Sequence, residues 1–280
     1  MNASFPLLFV SHGSPMFAIE PGLAGQRLSE LGRELPRPDA IVIFSPHWMT
    51  RGEVNVTAST APETIHDFVG FPDALYKLCY PAPGAPALAV LIVDLLQSAG
   101  WKSRLEPHRG LDHGAWVPLL YLAPNADIPV VQVSMPARLD THLAWKLGEA
   151  LKPLRDMNVL IVASGSLTHN LEEFRGAAGG DARYVKNFAA WTAQTLKAGN
   201  TDHLLDYKQH APSAERAHPT DEHFLPLLIA LGAAGERYET RVLVGGVSYG
   251  VLAMDSYLFS SINNDRSESA QLSQGITDHA

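Results

Sequence analysis

Three apolar runs of the sequence each lead into a histidine. Phe5–Val10 (FPLLFV) is followed by Ser11-His12-Gly13-Ser14-Pro15, Ala40–Ser45 (AIVIFS) by Pro46-His47-Trp48, and Val159–Ala163 (VLIVA) by Ser164-Gly165-Ser166-Leu167-Thr168-His169-Asn170. A fourth run, Ile128–Val133, leads to Ser134-Met135-Pro136 and carries none. One histidine at a strand end is ordinarily a packed or capping residue. Three at the same end of one sheet point to a shared site, because open α/β sheets bind ligands beyond the carboxyl ends of their strands. Two further stretches join by context. Gly110-Leu111-Asp112-His113-Gly114-Ala115-Trp116 lies between a strand and a helix, with Asp112 suited to cap that helix. His218-Pro219-Thr220-Asp221-Glu222-His223 opens the last long helix and puts His223 in its first turn. There His218 reads as a cap rather than a ligand, and Asp221 and Glu222 suit the positive end of the helix dipole. His66, His108, His142, His203 and His210 read as surface or packed residues.

The ligand type limits the chemistry. Cys79 is the only cysteine, so an intramolecular disulfide and every cysteine-based zinc finger are excluded. Neutral imidazoles suit zinc, iron, copper and nickel. Three protein ligands with open positions make a catalytic rather than a structural metal site. Three histidines add no charge, so a divalent ion keeps its full charge to acidify a water or to bind a bidentate catecholate. The spacing does not name the metal. No phosphate loop and no H-E-x-x-H are present. Ser164-Gly165-Ser166 does not satisfy G-x-S-x-G. Gly245-Gly246-Val247-Ser248-Tyr249-Gly250 lacks dinucleotide spacing and reads as a turn between two strands.

These residues need elements to position them. The four apolar runs have the length and composition of buried strands. Val54–Ala58 and Trp101–Glu106 alternate like half-exposed strands, and Thr240–Val244 and Tyr249–Ala253 are weaker candidates. Helical spacing covers Gly22–Leu35, Ala87–Ser98, Ala115–Leu122, Thr141–Leu154, Ala182–Ala198 and Pro219–Leu231, the last starting at a proline and ending at Gly232. Continuous apolar strands separated by helices predict a single-domain α/β fold. Its sheet is mixed but mainly parallel, with helices on both faces and antiparallel strands at an edge. A chain of 280 residues with 46% hydrophobic and 18% charged residues can bury a large core. The net charge of −8 and the lack of a Lys/Arg cluster argue against a nucleic-acid partner. No run reaches the length of a membrane span and the N-terminus has no signal-peptide pattern, so the expected compartment is the cytoplasm. Residues 263–280 read as a polar C-terminal tail, which holds His279. An oligomer is left open.

Five motifs then carry a family likeness: SHGSP at 11–15, SPHW at 45–48, GLDHGAW at 110–116, SGSLTHN at 164–170 and HPTDEHFLPL at 218–227. In this order they resemble the class III extradiol ring-cleaving dioxygenases, of the 4,5-DOPA dioxygenase type, over residues 11 to about 250. The resemblance implies one catalytic domain over residues 1–262, a small catechol-type aromatic substrate and O2. It also implies non-haem Fe(II), with Zn(II) as an alternative bound metal. By the same likeness His12, His47 and His223 match the metal ligands. His169 matches the acid–base histidine, which in some members also touches the metal, and His113 matches a catalytic histidine beside the substrate. The wider superfamily has members with a glutamate as third ligand. The EHFLPL context selects His223 here, with Glu222 as the alternative. Trp48 is expected to wall a planar ring, whereas Trp116, Phe17 and Tyr249 read as ordinary core. None of the five motifs contains lysine or arginine, which favours a neutral or zwitterionic catechol over protocatechuate. Two other classes stay open at this stage: a zinc hydrolase using the same cluster and a non-catalytic binding protein on the same fold.

Overall fold

All five residues of β1 (Leu7–Ser11) are buried. Strand side chains alternate between faces, so Leu7 and Phe9 enter one core cluster while Leu8 and Val10 enter another. The same division runs through β2 (Ala40–Thr50), where Val42 and Phe44 face one cluster and Ile41 and Ile43 the other. Apolar residues on both faces require cover on both faces. The helices Pro86–Ser98, Thr141–Leu151, Arg183–Lys197 and Leu225–Ala234 supply it on one side, and Gly22–Glu34 and His113–Leu122 on the other. Each large apolar side chain contributes about 1.5–3 kcal/mol by leaving water. The strands therefore do not depend on what binds beyond their ends.

The structure is a computed structural model and describes residues 4–176 and 183–262. The segment from Asn263 to Ala280, read as a polar tail, lies outside the described residues, as does Ala182 at the start of one expected helix. The remaining strands are β3 (Val54–Thr57), β4 (Ser103–Glu106), β5 (Val130–Pro136), β6 (Val159–Gly165), β7 (Tyr238–Leu243), β8 (Val247–Ser248), β9 (Leu252–Ala253) and β10 (Ser256–Ser261). One sheet of eight strands has the order β4-β3-β5-β2-β6-β1-β10-β7, and β8 and β9 form a small hairpin. β5, β2, β6 and β1 are mutually parallel, so their carboxyl ends share one side. β10 and β7 add antiparallel strands at one edge, and β3 meets β5 antiparallel at the other.

Local readings change in four places. β2 does not stop at Ser45 but continues to Thr50 through a register shift between Phe44 and Met49, so His47 lies inside the strand. β3 is buried throughout rather than half exposed, because it is paired on both sides and covered by the Pro86–Ser98 helix. β10, rich in serine and absent from the sequence reading, pairs antiparallel between β1 and β7. The last helix begins at Leu225, with Pro226 in its first turn, and runs past Gly232 to Ala234. Gly232 is not a stop but a contact: a side chain there would collide with the Trp145 carbonyl of the crossing helix Thr141–Leu151.

Candidate active site

The shared carboxyl side of the parallel strands brings five histidines together. His12 follows β1, and its amide donates to the Gly165 carbonyl at 2.9 Å, continuing the β1–β6 pairing. Its Nδ1 lies 2.9 Å from Ser164 Oγ, and that hydroxyl donates to the Gly114 carbonyl at 2.5 Å. A hydroxyl has one proton to give. The Ser164 proton is spent on Gly114, so His12 Nδ1 must be the donor and His12 Nε2 keeps its lone pair. That Nε2 stands 3.1 Å from Nε2 of His47.

His223 comes not from a helical turn but from the tight turn before Leu225–Ala234. Asp221 fixes this turn: its carbonyl accepts from the amides of Phe224 and Leu225, and its carboxylate binds Tyr207 Oη at 2.8 Å and Lys208 Nζ at 2.7 Å. The Ser166 amide donates to the His223 carbonyl at 2.9 Å. The two segments run so close that a side chain at Gly165 would strike that carbonyl. His223 Nδ1 donates to Glu222 Oε1 at 3.0 Å, which leaves its Nε2 buried and without a partner. The rings of His12, His47 and His223 form a near-equilateral triangle, with centroids 5.1, 5.2 and 5.5 Å apart.

His113 is the first residue of its helix. Asp112 caps that helix by accepting from the Ala115 amide, as its sequence context implied. The His113 ring is 4.0 Å from that of His47 and 5.6 Å from that of His12. Asp67, on the loop before Phe68, accepts from the His113 amide at 2.8 Å and from its Nδ1 at 3.0 Å. His169 ends the loop after β6. Its amide donates to the Ala217 carbonyl at 2.8 Å, and Thr168 ties the same loop to Val251 and Ala253. The His169 ring stacks on that of His223 at 3.5 Å and 10°. Ligand atoms of His12, His47 and His113 all lie within 4.8 Å of one another, and so do those of His169, Glu222 and His223.

Burial sets the electrostatics. It holds the proton affinities of His12 and His223 well below the ordinary imidazole value, and the surrounding imidazoles push the same way. His47 is brought down to about 3 by burial and then by His113, against an opposing pull from Asp67. His169 is lowered chiefly by burial. Burial alone would raise the Asp67 carboxyl, but its hydrogen bonds to His113 outweigh that and lower it. At neutral pH His12, His47, His169 and His223 are uncharged imidazoles. Such a nitrogen donor set suits iron and zinc. A partnered Nδ1–H behind a bare Nε2 is the arrangement that orients imidazole toward a metal.

A cavity of about 520 Å³ opens over the cluster, reaching His47, His113, His169 and His223. Its apolar wall includes Phe68, Phe71 and Phe174, and among the described residues neither lysine nor arginine lines it. Trp48, expected there, is not part of the wall. It follows His47 along β2 and is buried, with the Arg109 guanidinium 4.8 Å from its ring centre. Trp116 and Phe17 are core, as read, whereas Tyr249 is exposed and donates to Glu20. His218 does not cap the last long helix, whose N-cap is Phe224; it ends the short helix Ala214–Ala217. It is buried against Phe188, Tyr207 and Phe224, and its Nε2 donates to the Leu167 carbonyl at 2.9 Å. Sequence reasoning missed Asp67, Phe68 and Phe71, which sit in a loop without periodicity. It noted Ser164 in the SGSLTHN motif and in a failed nucleophile motif, but not as the partner of His12.

A family model described as the catalytic LigB subunit of aromatic ring-opening dioxygenase matches residues 6–255. A 4,5-DOPA dioxygenase extradiol of Beta vulgaris is 42% identical, the match covering 90% of this chain and 96% of the relative. The protein of that name from Escherichia coli K12 is 40% identical, over 90% and 94%. A crystal structure of an uncharacterized E. coli K12 protein superposes with a TM-score of 0.75 at 32% identity, covering 91% of this chain and 99% of the other.

Proposed function

The chain belongs to the family of the catalytic LigB subunit of aromatic ring-opening dioxygenases, and from that premise we propose that it opens a DOPA-like catechol. The ring is cleaved beside, not between, its two hydroxyls, with both atoms of O2 entering the product. The observation that carries this reading is the convergence of His12, His47 and His223 below an aromatic-walled cavity. The buried, partnerless Nε2 of His223, and the Nε2 of His12 facing that of His47 at 3.1 Å, fit a divalent metal. His12, His47 and His223 would hold it, and Fe(II) is the metal we assign, with Zn(II) as an alternative occupant. When bound, Fe(II) supplies the electron path between catechol and O2. Glu222 serves by accepting from His223 Nδ1 rather than as the third ligand.

The chain's own groups do the rest. Phe68, Phe71 and Phe174 exclude water from the planar ring. His113 Nε2 accepts from a catechol hydroxyl. His169, which lines the cavity and is held down by burial, carries protons to and from the substrate. With no lysine or arginine among the described residues of the wall, a ring carboxylate has no clamp there, so DOPA or a neutral catechol is preferred to protocatechuate. The cytoplasm is the compartment we assign, where a chain with one cysteine, Cys79, needs no disulfide. The test is anaerobic loading with Fe(II) or Zn(II), followed by O2 and a catechol series. O2 uptake equal to catechol loss, with a yellow ring-opened product from the Fe(II) form only, is expected. Consumption without O2 uptake, or a larger kcat/KM for protocatechuate than for DOPA, would refute the assignment.

A further inference from the structure

We infer that Asp67 is a positioning residue that fixes the tautomer of His113, so that the neutral ring keeps its hydrogen on Nδ1 and offers Nε2 as an acceptor to the substrate. The geometry is specific. Both oxygens of the Asp67 carboxylate serve one residue: Oδ1 accepts from the His113 amide at 2.8 Å and Oδ2 from its Nδ1 at 3.0 Å. An ionised carboxylate has no proton to give. His113 Nδ1 must therefore carry a hydrogen, and in the neutral ring that leaves the lone pair on Nε2. The amide bond fixes where Oδ1 sits, and that leaves Oδ2 facing the ring.

The loop that carries Asp67 is built to hold this register. Thr64 bridges to Leu111, and the Ile65 and Leu111 amides bond across the same strap at 2.8 Å each. The Ile65 carbonyl accepts from Trp116 Nε1 at 2.9 Å, and His66 Nε2 bonds the Leu78 carbonyl at 3.0 Å. The strap thus ties Asp67 to the helix whose first residue is His113. His113 and the Phe68 wall lie on the same cavity. The other imidazole near Asp67 is His47, whose Nδ1 is 3.8 Å from Oδ2, beyond hydrogen-bond length. His113 is therefore the group that Asp67 sets.

This inference rests on the proposed catechol chemistry only for the use made of Nε2; the tautomer itself is a property of the resting protein. The discriminating variant is Asp67→Asn. With Oδ1 still accepting from the His113 amide, the amide nitrogen replaces Oδ2 and presents hydrogens to Nδ1. His113 must then accept at Nδ1 and carry its hydrogen on Nε2, which can no longer accept. The probe is 15N NMR of histidine-labelled, Zn(II)-loaded protein, with metal content and melting temperature measured alongside. The wild type should show a protonated Nδ1 and a bare Nε2 at His113, and Asp67→Asn the reverse. Metal content should not change. In the Fe(II) form the variant should lose about 10²–10⁴-fold in kcat/KM, and Asp67→Glu, which keeps an acceptor-only group, should recover part of the loss. A wild-type His113 protonated at Nε2 would overturn the inference even if Asp67→Asn did not fold. So would loss of metal from the variant, which would make Asp67 a support of the metal ligands. An absence of O2 uptake by the wild type would instead strike at the catechol reading and leave the tautomer result standing.

Discussion

Acid should destabilise this protein through histidines that are buried uncharged, and His218 isolates one of them outside the catalytic cluster. Burial lowers its imidazole to about 4, only partly offset by the hydrogen bond to the Leu167 carbonyl. Its Nδ1 is buried without a partner, so a proton added there meets no acceptor. In the unfolded chain the same group titrates near 6.5. Between those values the unfolded state binds more protons than the folded one. The contribution is therefore complete above about pH 6.5, declines as the pH falls, and levels off near 4. The two pKa values give a loss on the order of 1 kcal/mol from pH ~7.5 to ~5.5, and on the order of 2–3 kcal/mol by pH ~4.5. His218→Gln keeps an N–H donor for Leu167 but cannot titrate. Urea unfolding of the chelator-treated protein at these three pH values should show the wild type losing that much more stability than the variant. The remaining histidines titrate in both proteins and cancel. A wild-type-to-variant gap that does not change with pH would mean that His218 is not held neutral by its surroundings.

Two further outcomes follow from the site. Ser164→Ala removes the acceptor of His12 Nδ1–H and should weaken metal affinity about 10–100-fold in competition with a chromophoric chelator; equal affinity would show that Ser164 does not set that ring. His169→Gln should keep its metal and lose about 10²–10⁴-fold in kcat, with the imidazole limb missing from the pH–rate profile. A metal-free His169→Gln protein would make this residue a ligand instead.

The sequence reading succeeded where one physical rule dominated. FPLLFV, AIVIF and VLIVA are apolar at every position, which only a strand covered on both faces tolerates, and they are the centre of the sheet. Their order in the sheet was not legible, but parallel pairing alone sends their carboxyl ends to one side. That sufficed to gather His12, His47 and His169. The reading failed where tertiary contacts decide. β10 is half serine in SYLFSS, and its place comes from pairing on both edges. Pro219 looked like a helix start, yet Asp221 closes a tight turn with Phe224 and Leu225, and the helix waits for Pro226. Asp67 lies 46 residues from the histidine it binds, in a loop whose pattern shows no period to read.

The same burial explains both the fragility in acid and the readiness of the site. Taking a nitrogen lone pair from water without a partner costs about 1–3 kcal/mol, and His223 Nε2 is in that position. Nothing in the packing requires it: Glu222 could have faced solvent, and the turn at 221–224 could have closed without Gly165 pressed against its carbonyl. The chain instead spends hydrogen bonds on the outer nitrogens. Ser164 takes that of His12, Glu222 that of His223 and Asp67 that of His113. Glu222 and Asp67 sit on segments outside the core strands, and Ser164 lies near the carboxyl end of β6, past its apolar run. Ligand geometry is therefore carried by polar residues other than the apolar ones that fill the core. Substitutions among Ser164, Glu222 and Asp67 should change what the site holds far more than whether the sheet folds.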